Sequence, residues 1–499
     1  MAMTIGDNKP GSYRIHSITV SNNEGNSYEL SGIMQSFSIT ESIYQMFLTG
    51  SITFLDDMNI FNRIGFTGQE YIRIHVSGIE GNEETPPVDE HIDQVFRIFN
   101  VTTQIREQAN PKLNLFSVEF CSPLLYLART QRISQAYRGK SGDILNKICQ
   151  DKLGFKEQKK DLKGHVKGGT ELGNFFETFK TGVGEVSGMV IPNWTVFKAL
   201  RWLRDNTSDD TERPWGSSYY LYQTALGGFR FHSVDDMKSI QYLNGKVKFS
   251  PRMGDGDPSL NYDFVDGRGN DILAFSKSNT SNVLESHLNG TYSGIIHVFD
   301  TKSKTLTTVD SQFTQQFPLK SDGTYEKGTI SVAPAFRLGP ETIKIPPDGG
   351  VEGQELPPAT AFGEGESIIE RQGAITFDYN NPYMFTNGIH PSGSSVGVNE
   401  IDKFNRERVE QTFKNNRINI QISGRTNISC GMLINVDIKQ PTLSAADVRD
   451  EFTQNGKLLV EGITWTGTQD GLETQLSCST DGYQVNMDTY IDHEIGVED

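Results

Sequence analysis

Residues 98–102 read Ile98-Phe-Asn-Val-Thr102, and residues 460–464 read Val460-Glu-Gly-Ile-Thr464. Both carry aliphatic residues at their first and fourth positions, both end on Thr, and both run into a polar hairpin loop. Upstream of each lies a glycine and then an alternating strand: Gly68 before Tyr71–Val76, and Gly431 before Leu433–Ile438. In the first of these, Ile72, Ile74 and Val76 fall on one face and Arg73 and His75 on the other, the period of two that marks a β-strand. Downstream, Phe116-Ser-Val-Glu-Phe-Cys121-Ser122 follows the first segment and Glu473-Thr-Gln-Leu-Ser-Cys478-Ser479 the second, alike only in their closing Cys-Ser. Order and spacing correspond while identity is low. Duplication of a small β unit accounts for this, and so does chance likeness between two antiparallel hairpins. Duplication would matter for symmetry, because a closed ring of three such chains presents six similar units.

Outward from these segments, the sequence predicts a β-rich α+β protein with two tube-like antiparallel β-barrel domains and helical and mixed insertions. Residues 1–12 are a polar N-terminal segment. Residues 13–122 read as the first β domain, with strands at Tyr13–Val20, Gly50–Asp56, Tyr71–Val76, Phe96–Thr103 and Leu113–Cys121, and a hairpin loop at Asn110-Pro111. Residues 123–216 form a helical insertion. Pro123–Thr130 makes a helical turn, and Ser141 caps a helix that runs to Leu153 and stops at Gly154. A polar excursion spans 156–188, and a second helix begins near Asn193 after Pro192. Residues 217–235 form a hairpin, Tyr219–Tyr222 and Phe229–His232 around Gly227-Gly228, expected to join the second β domain. Residues 236–397 are a mixed insertion containing a Pro/Gly-rich linker, 339–365. Residues 398–486 combine a charged helix, Val398–Lys414, with the second β domain, whose strands are Ile418–Ile422, Leu433–Ile438, Leu458–Trp465 and Thr474–Cys478. Residues 487–499 are an acidic tail.

The chain has 499 residues, too many for one ordinary core. Its 49 Gly and 29 Phe, with 10% aromatics, suit many turns and short aromatic strands. With 46 Lys and Arg against 63 Asp and Glu, the net charge is −17. That balance argues against binding DNA through phosphate neutralisation and suits a surface that does not hold polyanions; solubility alone would also explain it. No apolar run approaches the roughly 20 residues that span a bilayer, and Met1–Gly11 has no signal-peptide core, so folding in a cytoplasm is expected. Cys121, Cys149, Cys430 and Cys478 are far apart and are expected to be buried thiols.

No catalytic constellation outweighs a plain structural reading, and no catalytic, cofactor-binding or metal-binding residue is expected. Gly393-Ser-Ser395-Val-Gly397 has the spacing of a nucleophile elbow but follows His390-Pro391-Ser392 instead of an apolar strand. Gly182-Val-Gly184 and Gly267-Arg-Gly269 lack the strand and helix that a phosphate loop needs. Asp255, Asp257 and Asp263 lack the bidentate acid of a calcium loop. The pairs Asp56-Asp57, Asp209-Asp210 and Asp235-Asp236 lie in polar turns. None of the nine histidines is four residues from another; His75 is expected on an exposed strand face and His232 at a strand end, in surface or packing roles. Asn100-Val-Thr102 and Asn289-Gly-Thr291 are chance matches to glycosylation sequons. Trp194, Trp202 and Trp215 cluster around the second helix as either a partner-binding spot or, for Trp202, a core residue.

The run from Ser122-Pro-Leu-Leu-Tyr-Leu-Ala-Arg to Tyr137, with the following Ser141-Gly-Asp-Ile-Leu145 helix, resembles central baseplate hub proteins of contractile-tailed, T-even-type bacteriophages, relatives of the hub part of type VI secretion spike proteins. Asn193-Trp-Thr-Val-Phe-Lys-Ala-Leu-Arg-Trp-Leu203 with its hairpin, and Ile418-Asn-Ile-Gln-Ile-Ser-Gly424 with Gly431 and Leu433–Ile438, carry the same likeness. It covers roughly the first 235 residues and the region after about 398. The resemblance implies a non-enzymatic homotrimer in the tail baseplate of a virion, made in the host bacterial cytoplasm. Its partners would be the tail tube, the spike and baseplate wedge proteins, and DNA would pass its channel without specific binding or membrane insertion. A hub of a non-phage injection system, a tail-associated cell-wall hydrolase and a glycan-binding tail protein are the alternatives.

Overall fold

The computed structural model describes residues 3–5, 11–57, 59–78, 91–107, 110–156, 175–182, 185–207, 218–239, 248–249, 272–277, 283–300, 304–321, 324–326, 330–334, 374–380, 398–436 and 456–483. The fold is β-rich α+β, dominated by one 14-stranded sheet. Its first half is built from β1 (Tyr13–Ser21), β2 (Met34–Ser42), β3 (Thr49–Asp56), β4 (Tyr71–Gly78), β5 (Ile92–Glu107) and β6 (Asn110–Cys121). The insertion that follows holds α1 (Pro123–Thr130), β7 (Arg132–Lys140), α2 (Ser141–Leu153), β8 (Phe176–Phe179), β9 (Glu185–Thr195), α3 (Val196–Asp205), β10 (Tyr219–Gln223) and β11 (Phe229–Ser233). The second half of the sheet is β12 (Ile272–Lys277) and, after α4 (Val398–Asn415), β13 (Arg417–Ser423), β14 (Leu433–Val436), β15 (Gly456–Thr468) and β16 (Leu472–Ser479).

The strands run β1-β4-β5-β6-β3-β2-β15-β16-β13-β12, with β14 laid on the start of β15. Period-two patterning explains the burial. From Ile463 to Gly467 alternate residues of β15 are buried, and Ile72, Ile74 and Val76 of β4 are fully so. These inward faces form a single hydrophobic cluster reaching from Tyr13 to Cys478, so the two halves share a core. Fully burying each large apolar side chain contributes about 1.5–3 kcal/mol. A second cluster lies in the insertion, where Leu124, Ile144, Ile148, Leu200 and Leu203 of the helices pack with Tyr219, Leu221, Phe229 and Phe231.

Several local expectations change. Asn110 and Pro111 lie inside β6, with Asn110 opposite Glu107, so the hairpin turn falls before them. Lys140, not Ser141, is the N-cap of α2; Ser141 is buried in its first turn and accepts from the Thr207 hydroxyl. Gly154 ends that helix in the left-handed conformation (φ 69°), as read from sequence. The second helix starts at Val196, capped by Thr195, whose Oγ1 accepts from the Lys198 N–H. Pro192 and Asn193 belong to β9, where Asn193 takes φ 53° at an irregularity against β7. The expected excursion over 156–188 contains β8, which pairs parallel with β11. The hairpin β10–β11 forms its own three-stranded sheet with β8; it meets the large sheet through side chains. Finally β12, from the region read as insertion, is part of the large sheet.

Candidate functional site: a duplicated β unit, its seam and its open edges

The strand order β4-β5-β6-β3-β2 in the first half is repeated as β14-β15-β16-β13-β12 in the second. The registers repeat as well. Ile98 faces Phe120, Val460 faces Cys478, and directly after each pair the register slips by one, at Phe99 and at Glu461. A second slip is shared, at Met34/Ser36 on β2 and Ile272/Ala274 on β12. The Ile98 N–H donates to the Glu70 carbonyl at 2.9 Å and the Val460 N–H to the Met432 carbonyl at 2.8 Å. Gly68 and Gly431 both hold left-handed φ, 78° and 77°, but by this register Gly431 matches Gln69, so the two glycines are displaced by one. Two unrelated hairpins would not share five strands in one permutation together with two β-bulges, which are specific features of a ladder. The register also corrects the alignment: Phe120 matches Cys478 and Cys121 matches Ser479, so the shared Cys-Ser ending is displaced by one and coincidental.

Bulk has moved across the strands between the copies. Gly50 faces Phe120 in the first, and Ile418 faces Cys478 in the second. A Cβ on Gly50 would lie 2.6 Å from the Phe120 ring and 2.2 Å from the Ser38 carbonyl oxygen, so the large ring needs the glycine.

The copies join edge to edge where β2 residues 36–42 pair antiparallel with β15 residues 468–462. Ile39 and Trp465 face each other on the inner side, both fully buried. Two buried carboxylates stand at one end. Glu41 accepts the Cys430 N–H at 2.6 Å and the Ala225 N–H at 2.7 Å, tying the second copy and the insertion to the first. Burial pushes its pKa up to about 7, although both N–H groups favour the anion. Glu461 accepts from the Tyr44 hydroxyl at 2.6 Å and Arg417 Nε at 2.7 Å. The Cys430 carbonyl takes Tyr222 Oη at 3.2 Å and Arg230 Nη1 at 3.1 Å, and Arg230 pairs with Glu177 at 2.8 Å.

The same two edges recur at the ends of the sheet's pairing, without strand partners among the described residues. β12, the counterpart of β2, pairs only with β13 among the described residues. β5, the counterpart of β15, pairs with β4 only up to Arg97; beyond that its outer edge meets no strand among the described residues. Large apolar side chains lie exposed along both: Phe99 and Ile105 on β5, and Leu273 on β12. β5 carries one more slip, between Val101 and Thr103, which the second copy lacks. Counted through β6, Ile105 takes the place of Thr466 and Ser276 that of Ser38, and Thr466 and Ser38 face each other in the seam.

One cluster was missed in the sequence. His16, His75 and His91 bring ring nitrogens within 4.8 Å of one another. His75 is half-buried rather than on an open strand face. Burial, added to by the other rings, lowers the pKa of His16 to about 4, and burial likewise lowers that of His75. The signal that could have found them is the slip between Ile15 and Ser17, which turns His16 towards its neighbour strand, but a bulge has no sequence signature here.

The other candidates do not assemble into a site. The GxSxG string, Gly267-Arg-Gly269, Asp255, Asp257, Asp263, Asp209, Asp210, Trp215 and the acidic tail lie outside the described residues. Asp56 is buried and accepts from the N–H groups of Ile60 and Phe61, and Asp236 accepts from the Ser233 N–H. His232 Nε2 sits 2.8 Å from Tyr222 Oη in the buried knot. Trp194 and Trp202 contact each other and pack on the insertion's core. All four cysteines are buried and free. No described helix is long and apolar enough to cross a membrane.

No family model matches the chain, and no curated protein matches it. Among solved structures it is similar to a tail protein from Neisseria meningitidis (TM-score 0.47, 8% identity, 94% of this chain and 97% of that one). It is similar to the 43 kDa tail protein of prophage MuSo2 from Shewanella oneidensis (0.44, 10% identity, 93% and 97%). A third is an E. coli type VI secretion component described as structurally similar to the T4 tail proteins gp27 and gp5 (0.38, 9% identity, 93% and 76%).

Proposed function

We propose that this chain is a structural hub subunit of a contractile phage tail baseplate, three copies of which close into a ring of six β units around the tail axis. The observation that carries this reading is the duplicated unit, joined by a seam within the chain and bearing the same two edges, which no strand among the described residues covers. An open edge with exposed apolar side chains is a template for another strand. Here the β12 edge of one copy meets the β5 edge of the next in the geometry that β2 and β15 already adopt. Three chains then give sixfold-like faces for a tail tube while keeping threefold symmetry for a spike. The subunit transmits contacts and performs no chemistry, and wedge proteins meet its rim. The excess of acidic residues, tripled in the ring, gives transiting DNA little to bind.

The pairing register supplies the test. Ser276→Cys together with Ile105→Cys places two thiols at facing positions, where antiparallel partners lie about 4.5–5.5 Å apart at Cα, within disulfide range. Oxidised double variant is expected to run as reductant-sensitive oligomers ending at a trimer, while each single variant does not. A chain that stays monomeric at high concentration and forms no such bridge would overturn the ring. In a map of the whole particle, density for this subunit away from the tail axis would overturn the hub assignment even if the ring forms.

A further inference from the structure

We propose that His16, His75 and His91 form a binding site for a divalent first-row transition cation of the zinc or nickel type. The three residues come from β1, from β4 and from the position just before β5, adjacent strands near one end of the large sheet. Three of the chain's nine histidines thus converge across 75 positions of sequence. His75 Nε2 and His91 Nδ1 already lie 3.1 Å apart. His16 stacks on both rings, with centroids 4.3 Å and 4.7 Å away. Tetrahedral zinc with nitrogen ligands requires about 3.4 Å between ligand nitrogens; the nitrogens are near enough, and binding turns the stacked rings so that their in-plane lone pairs converge on one ion.

The surroundings favour this use. His16 Nε2 is 3.0 Å from the Ser77 hydroxyl, a partner of the kind that orients a ligating imidazole through its other nitrogen. Asp93 is engaged elsewhere, held by Arg73 through two bonds at 2.8 Å and 2.6 Å, so the donor set is all nitrogen. That set suits zinc, nickel, cobalt or copper and not calcium or magnesium, which take oxygen ligands. A bound ion would pin β1 to β4 and β5 and leave a fourth coordination position for water.

Zinc chloride titrated by calorimetry into the full chain, stripped with chelator, tests the site. One equivalent is expected to bind, with affinity falling by about tenfold or more in His16→Gln and in His75→Gln. Cobalt in place of zinc is expected to give visible absorption bands in the wild-type chain that both variants lose, with circular dichroism verifying that the variants are folded. Absence of stoichiometric binding by the wild-type chain overturns the proposal. So does binding that persists unchanged in the folded His16→Gln/His75→Gln double variant.

Discussion

The carboxylate of Glu41 accepts the backbone N–H of Cys430 at 2.6 Å, across 389 positions of sequence and in full burial. Its other oxygen accepts the Ala225 N–H, so one side chain fastens three parts of the molecule. With a folded pKa of about 7 against an ordinary 4.5, Glu41 holds a proton in the folded state that the unfolded chain has released between those values. The contribution of Glu41 to stability therefore falls as pH rises through that window, by about 3 kcal/mol in all, and levels off above it. Glu41→Gln keeps one acceptor and turns an amide donor towards the other N–H. His16 and His75, whose lowered pKa values make stability rise with pH over the same range, act alike in both proteins, so melting curves from pH 4.5 to 8 are expected to show the wild-type chain losing stability relative to the variant as pH rises.

The exchange of bulk between Gly50/Phe120 and Ile418/Cys478 predicts coupling. Gly50→Ala forces its new methyl into the Phe120 ring and the Ser38 carbonyl, and is expected to cost about 1–3 kcal/mol. Phe120→Cys leaves a cavity, at about 3–5 kcal/mol. The double variant is expected to lose less than the sum, because the smaller side chain relieves the ring contact. A thermal-denaturation double-mutant cycle measures this, and strict additivity would count against the compensation.

Trp465 donates its indole N–H to the Arg425 carbonyl at 2.7 Å. That carbonyl also accepts from Thr474 Oγ1 at 3.1 Å, so removing the indole does not orphan it. Trp465→Phe is accordingly expected to cost only about 1–2 kcal/mol, and Trp465→Ala about 3–5 kcal/mol, measured as loss of thermal stability.

Asp481 is fully buried and accepts from the N–H groups of Ile330 at 3.1 Å and Ser331 at 2.8 Å. Asp481→Ala removes the acceptor of both N–H groups, at about 1–3 kcal/mol each. Hydrogen exchange is expected to rise over 330–334 while protection in the large sheet persists. Unchanged exchange there would mean that the segment is held by other contacts.

The strands of the large sheet were legible wherever alternation was strict, as at Ile72-Ile74-Val76, and the helix stop at Gly154 followed from the conformation only glycine takes easily. β12 was not legible, because an edge strand with Leu273 and Ala274 exposed shows no buried stripe. The helix start was misplaced to Asn193 because proline and asparagine imitate a cap, whereas β9 absorbs both in an irregular pairing. The duplication was visible only as a faint echo. Its firm evidence, paired bulges and matched registers, resides in backbone pairing, which composition does not encode. The histidine cluster was hidden for the same reason: three residues from three strands carry no spacing rule.

The partner of β2 lies far along the chain, Thr40 meeting Thr464 across 424 positions. At about 5–20 residues per second of synthesis, roughly 20 to 85 s separate the two strands at the ribosome. Throughout that interval the nascent first unit displays a bare edge to every other nascent copy in its surroundings. Correct folding is thus a race between finishing translation and illicit strand exchange, and expression conditions that slow elongation favour the wrong winner.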